Sequence, residues 1–185
     1  MRGARQTRFV DDEAALRTIA AKAVRCPHCG LYGTLNAHGW LWGNAEIGSS
    51  RVVRGRRLYC SSRFRRPGCG RTFSVLLSHM LAGFTVTTRT LARLVRGVVA
   101  GACRKAAWEQ SGGTGLSLRT GYRLWQRLDR AQSALRTQLL GLCPPPYTRS
   151  TLPLGGLLAH LDAALGPVDD VFGRFQSRLQ VSLLP

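Results

Sequence analysis

The most regular pattern in the chain lies between Ser117 and Leu140, where Leu118, Tyr122, Trp125, Leu128, Leu135 and Leu139 recur at spacings of three, four or seven. That period lays one apolar stripe along a helix. Arg119, Arg123, Arg127 and Arg130 follow one another at four, four and three on another face. Ser117 is placed to cap the start, and Cys143-Pro144-Pro145-Pro146 ends the helix because proline cannot continue the hydrogen-bond ladder. At about 24 residues the helix would be roughly 36 Å long, and its second half is expected to pair with the C-terminal region or with another copy. Upstream, Leu91, Leu94, Val95, Val98 and Val99 share one side and Arg89, Arg93 and Arg96 another, which predicts a helix from a Thr87 or Thr88 cap to about Cys103. Gly97 and Gly101 weaken it and point to close packing there. A short helix over Arg104 to about Gln110 would bury Ala106, Ala107 and Trp108, and Ser111-Gly112-Gly113-Thr114-Gly115 forces a turn. Past the prolines, Leu152 to Leu165 reads as a helix, Gly166-Pro167 breaks it, and Val168 to Leu179 reads as another.

The first third has a different texture. Short strands are predicted over Thr34–Trp40, Arg57–Cys60 and Thr72–Leu76, with Gly30, Gly33, Gly43, Gly48 and Gly70 marking turns. Ahead of them, Asp11, Asp12 and Glu13 sit where acids help a helix start, before an alanine-rich segment to about Val24 with Leu16, Ile19, Ala20 and Ala23 on one stripe. Arg2, Arg5 and Arg8 form a basic arm, read either as a disordered end or as a segment lying in a DNA groove. The expected fold is mainly α with a small β zinc ribbon. Its divisions are a basic arm and N-terminal helix (1–25), a zinc ribbon with a basic insertion (26–80), a helix-turn-helix domain (85–142) and a C-terminal helical tail (143–185), read as core completion or as an interaction segment.

The zinc expectation rests on cysteine spacing. Cys26-Pro27-His28-Cys29 is answered by Cys60 and by Cys69-Gly70-Arg71-Thr72-Phe73, and four thiolates on two knuckles close a tetrahedral structural Zn2+ site. Each knuckle needs a tight turn that aims backbone N–H groups at sulfur, which places Gly30 and Gly70 directly after Cys29 and Cys69. The second pair is Cys60-x8-Cys69, with Arg63, Arg65, Arg66 and Pro67 in the gap, an inserted basic finger that leaves the ligand pair intact. His28, between two ligands, is expected to point outward, and His38 is a reserve ligand. A catalytic zinc is disfavoured, since no His-x-Glu precedes a Pro-Cys-x-x-Cys and no open three-ligand site is apparent. Cys103, Cys143, His79 and His160 have no visible partners and are read as structural. The cysteine usage is unlike a secreted disulfide framework, Met1 to Val10 lacks the core of a signal peptide, and Leu91–Ala102 is too short and too charged to span a bilayer. A cytoplasmic, nucleoid-associated protein is expected.

Charge then suggests the partner. Lys+Arg total 27 against Asp+Glu 9, a net +18, which fits a polyanion. Lys22 and Lys105 are the only lysines, and guanidinium suits bidentate phosphate and guanine contacts. A GC-rich genome would produce part of that bias, so clustering carries more weight than total. Arg51, Arg54, Arg56, Arg57, Arg63, Arg65, Arg66 and Arg71 lie together with no acid among them. The block is a solvated face or, on a metal-stiffened hairpin, a fixed phosphate-binding one. Trp40, Trp42, Tyr59 and Phe64 are interleaved with it. Helix, short helix, Gly-rich turn and capped amphipathic helix are the order of a helix-turn-helix, so Ser117, Arg119, Thr120 and Arg123 are candidates for base or phosphate contact, with Arg127 further along. The plain alternative is a helical bundle that its arginines merely solvate. An RNA-binding zinc protein and a helical interaction protein with a zinc knob are the rival classes.

Taken together, Cys26-Pro27-His28-Cys29-Gly30, His38-Gly39, Arg56-Arg57-Leu58-Tyr59-Cys60, Gly68-Cys69-Gly70-Arg71-Thr72-Phe73-Ser74 and Leu116-Ser117-Leu118-Arg119-Thr120 resemble the zinc-ribbon plus helix-turn-helix proteins of bacterial insertion sequences, the InsA-like transposase-associated modules. The resemblance covers about Cys26 to Leu140 and departs from the pattern in the widened Cys60–Cys69 gap. It implies binding of double-stranded DNA at transposon ends, repression of the element's own promoter, and a separately encoded transposase subunit as partner. Two-metal strand transfer needs three converging carboxylates, and past the ribbon only Glu109, Asp129, Asp162, Asp169 and Asp170 remain, with no alternating strand pattern around them. A non-catalytic role is expected.

Overall fold

The computed structural model describes residues 7–44, 51–62, 67–113 and 115–184. Four strands form one mixed sheet: β1 (Thr7–Val10), β2 (Leu35–Gly43), β3 (Val52–Cys60) and β4 (Thr72–Leu77), in the order β1-β4-β3-β2. β2, β3 and β4 form an antiparallel meander, and β1 adds to β4 in parallel. Arg8 therefore belongs to a strand and not to a free arm; Phe9 beside it is buried opposite Leu76. Arg2 and Arg5 lie outside the described residues.

Asp12 caps α1 (Glu13–Thr18), accepting from the Ala15 N–H at 2.6 Å, as the acids at its start predict. The helix stops well before Val24. The Thr18 hydroxyl bonds the Ala14 and Ala15 carbonyls, a side-chain bond that competes with the helical ladder. A short 3-10 turn (Ala21–Ala23) then leads the chain to Cys26. Of the expected stripe only Leu16 is fully buried.

β2 and β3 are longer than their sequence pattern suggests, because the ladder continues past two irregularities that leave His38 and Arg54 out of register. Such bulges break the two-residue alternation by which strands are read. Under the sheet lies a core of Leu16, Leu35, Val53, Leu58, Phe73, Val75, Leu77 and Met80, which also takes in Cys26 and Cys60.

Five helices follow: α2 (Thr88–Val99), α3 (Arg104–Gln110), α4 (Leu118–Leu140), α5 (Pro153–Leu165) and α6 (Val171–Leu179). Thr87 caps α2, accepting from the Thr90 N–H at 3.3 Å. Gly97 lets α3 close on α2, since a Cβ there would stand 3.0 Å from that of Ala107. Trp108 is cradled in the same way: a Cβ on Gly113 or Gly121 would come within 2.4 or 2.7 Å of its ring. That close approach explains glycine both in the turn and inside α4. The buried face of α4 is Gly121, Leu124, Trp125, Leu128, Ala131, Leu135 and Leu139, while Tyr122 is 39% exposed and carries the Arg104 guanidinium over its ring. Ser117 holds the N-cap position, but its hydroxyl meets that of Thr120 and makes no backbone cap.

The C-terminal helices complete this core. Leu154, Leu157, Leu161, Leu165, Phe172 and Phe175 join the side chains of α2, α3 and α4 in one cluster, so the second half of α4 packs on its own C-terminal region. Arg96 bridges Asp162 at 2.7 Å and donates to the Val168 carbonyl. No helix among the described residues is long and apolar enough to cross a membrane.

Candidate metal centre

Cys26 and Cys29 flank a turn that follows α1, Cys60 ends β3, and Cys69 leads into β4. Their four sulfurs lie within 4.8 Å of one another, with Cys26–Cys69 and Cys29–Cys60 at 3.7 Å. Metal–sulfur bonds of about 2.3 Å in a tetrahedron give sulfur–sulfur edges of about 3.8 Å. The donor set is thus spaced to hold a metal ion and is compatible with zinc. Among the described residues it is the one such group of Cys, His, Asp or Glu.

Both knuckles are built from the same bonds despite their unequal gaps. In the first, the Cys26 N–H donates to the Leu31 carbonyl and the Gly30 N–H to the Cys26 carbonyl; in the second, the Cys60 N–H donates to Arg71 and the Gly70 N–H to Cys60. Gly30 and Gly70 hold φ +73° and +71°, the left-handed region that favours glycine. The inserted residues rejoin the knuckle at Gly68, where a Cβ would meet the Ser61 carbonyl oxygen at 2.1 Å. Insertion therefore leaves the second ligand pair in place.

Polar groups aim at sulfur. The His28 N–H points at Cys26 Sγ (3.4 Å), the Cys69 N–H at Cys60 Sγ (3.3 Å), and the Thr34 hydroxyl lies 3.2 Å from Cys60 Sγ. Burial pushes the Cys26 thiol up to about 12 and also raises Cys69. Burial acts the same way on Cys60, but the Thr34 hydroxyl and the Cys69 N–H outweigh it and bring that thiol down to about 7. Thr34 carried no sequence signal. Only the Leu35–Cys60 strand pairing brings it to the sulfur.

Neither histidine joins the four sulfurs. The His28 ring reaches the Thr72 carbonyl at 3.3 Å, and the His38 ring leans on Tyr59, 6.0 Å between centroids. His160, expected to be structural, is buried against the Cys143 carbonyl at 2.9 Å.

The arginine candidates fall into three groups. Arg54 is half-buried and donates to the Leu81 carbonyl at 3.0 Å, with burial lowering its pKa, so part of its guanidinium is engaged within the protein. Arg56 lies over Trp40, while Arg57 on β3 and Arg71 just before β4 are exposed. Arg63, Arg65 and Arg66 lie outside the described residues. On α4, Arg119, Arg123 and Arg130 are exposed together, Thr120 is half-buried beside Ser117, and Arg127 is exposed with its guanidinium 4.9 Å from the Phe84 ring. Compared with protein-family models, with curated proteins and with solved structures, the chain finds no match.

Proposed function

We propose that this chain is a zinc-dependent, sequence-specific DNA-binding protein. Zinc suits four thiolates in a tetrahedron, and its role there is structural: Cys26, Cys29, Cys60 and Cys69 would fasten the start of β4 and the turn after α1 to the end of β3. The duplex reader is a helix-turn-helix formed by α2, α3 and α4, with the first turns of α4 entering the major groove. Its turn, from Ser111 to Ser117, is longer than the usual three or four residues. At the level of biology, the sequence resemblance supports a role at insertion-sequence ends, beside a separately encoded transposase.

The observation that carries this reading is how the molecule distributes its positive charge. On α2, Arg96 pairs with Asp162, and Arg89 and Arg93 share Asp169. On α4 none of Arg119, Arg123, Arg127 and Arg130 is paired with a carboxylate among the described residues. Arg119, Arg123 and Arg130 line the side opposite its buried stripe, and Arg127 flanks them with its guanidinium over Phe84. The few acids of the C-terminal helices neutralise one set of arginines and leave the other for a polyanion.

Gel-shift titration against random and selected duplexes and against structured RNA, at two salt concentrations, tests the proposal. Selected duplex should bind tightest, and affinity should fall on the order of a thousandfold between about 50 and 200 mM salt if six or more phosphates are contacted. Preference for RNA, or equal duplex binding after chelation of the metal, would refute it.

A further inference from the structure

β2 is an edge strand with four of its nine residues exposed, Trp42 among them, and one, Leu35, buried. The irregularity between Leu41 and Trp42 puts its extra residue, Arg54, on β3, so on β2 Trp40 and Trp42, two positions apart, still face the same side. Trp40 is held by two guanidinium groups: that of Arg56, its partner across the ladder, at 4.9 Å from the ring centroid, and that of Arg17 from α1 at 5.5 Å. Trp42 is 49% exposed, and among the described residues no cation or ring covers it. Beside the first knuckle, Arg25 stacks 4.4 Å over Tyr32, itself 57% exposed. Of these arginines Arg17 pairs with Glu13; beyond Glu13, from Ala14 to Trp108, the sequence contains a single acid, Glu46.

Flat exposed rings among guanidinium groups are poorly matched to a duplex, whose base faces are hidden and whose outer surface is phosphate. They match an unpaired strand, which offers a π-face from every base and a phosphate between successive bases. A protein partner would also cover Trp42, but a surface this rich in arginine and this poor in acid favours the polyanion. We infer that the β2 face binds single-stranded DNA, with Trp42 stacking on a base and Arg56, beside Trp40, meeting an adjoining phosphate. The inference rests on the nucleic-acid reading above and adds to it an unpaired segment, such as a frayed end beside the duplex that α4 reads.

The test uses full-length, metal-loaded protein, labelled oligo(dT) followed by anisotropy, and intrinsic tryptophan emission with unlabelled oligo(dT). Trp108 and Trp125 are buried in the helical core, so quenching reports on Trp40 and Trp42. Oligo(dT) should bind and quench. Trp42→Ala should weaken its binding on the order of tenfold, as expected for loss of one stacking platform, while Trp42→Phe recovers most of it. Duplex affinity and metal content of Trp42→Ala should stay at wild-type values. Equal binding of oligo(U) supports stacking that ignores the sugar; binding of oligo(U) alone overturns the assignment. Oligo(dT) binding unchanged by Trp42→Ala, or duplex binding without any oligo(dT) binding, overturns the inference while leaving the duplex reading intact. Oligo(dT) binding without duplex binding does the reverse.

Discussion

The side-chain amide of Gln180 pairs with both backbone polar groups of Phe9, accepting from its N–H at 2.9 Å and donating to its carbonyl at 3.0 Å. Phe9 lies on β1, at the edge of the sheet, and the amide takes the place of a further strand along that edge. To reach it, Gln180 adopts φ 54° at the end of α6, a left-handed conformation uncommon outside glycine. One helical turn earlier, the buried amide of Gln176 donates to the Ser78 and Met80 carbonyls and accepts from the Leu183 N–H. The last helix thus clasps the first strand and the link between sheet and helices. Gln180→Ala is expected to lower the unfolding free energy by about 1–3 kcal/mol, for two hydrogen bonds of about 1 kcal/mol each. Gln176→Ala should cost more, because it leaves buried partners unsatisfied. Urea denaturation measures both, and unchanged midpoints would show that the two ends are not clasped.

The four-cysteine site predicts opposite pH responses for metal-free and metal-loaded protein. With metal removed under reducing conditions, Cys60 near 7 in the fold against an ordinary 9.0 contributes stability that is present above pH 9 and lost as pH falls toward 7. Cys26, raised by burial to about 12, has the other sign: its contribution is present below pH 9 and lost as pH rises toward 12. Stripped protein should therefore be most stable near pH 9. Loaded protein should keep its stability at alkaline pH, where a bound ion holds the thiolates, and lose it in acid as protons displace the metal. Chemical denaturation of both forms at about pH 7, 9 and 11 checks the signs; a stripped form that strengthens steadily up to pH 11 contradicts the burial of Cys26.

What was legible in the sequence is what repeats locally. The helices α2 and α4 show in the spacing of their aliphatic residues, Thr87 shows as a cap, and the cysteine knuckles show because each ligand pair is followed by a glycine that its turn requires. The hidden parts are non-local or small. β1 is four residues long, too short to display alternation, and its partner is Thr72–Leu77, far along the chain. Gln176 and Gln180 read as ordinary polar residues of a helix until the fold brings Ser78 and Phe9 to them. In α4 the packing face includes Gly121 and Ala131, which a hydrophobic pattern passes over, and Leu124, which the expected stripe misses, taking Tyr122 in its place. The pairing of Arg89, Arg93 and Arg96 with Asp162 and Asp169 joins segments that look unrelated in the sequence.

That pairing yields a functional prediction. Asp169→Asn removes the carboxylate shared by Arg89 and Arg93, both about half exposed, and returns two cations to the surface. If the helical module binds duplex DNA, the variant should bind random duplex more tightly at low salt. Its log affinity against log salt should steepen by about 0.9 for each added phosphate contact. Filter binding over a salt series measures this, and an unchanged slope would place α2 away from the DNA.

The sharpest prediction separates two pairs of arginines. Arg119 and Arg123 lie one turn apart on the exposed side of α4, where a helix entering a major groove would bring guanidinium groups to guanine edges. A lost bidentate base contact costs about 1–3 kcal/mol for the cognate base and little elsewhere. Arg119→Ala with Arg123→Ala should therefore bring selected duplex down toward random duplex. Arg65 and Arg66 belong to the inserted basic run between Cys60 and Cys69, a composition suited to phosphate, which carries no sequence information. Arg65→Ala with Arg66→Ala should weaken selected and random duplexes alike and flatten the salt slope by about 1–2. Competition binding with both duplexes distinguishes the pairs. If the Arg65/Arg66 variant loses preference while the Arg119/Arg123 variant loses affinity uniformly, sequence is read by the inserted finger and α4 serves as the phosphate anchor.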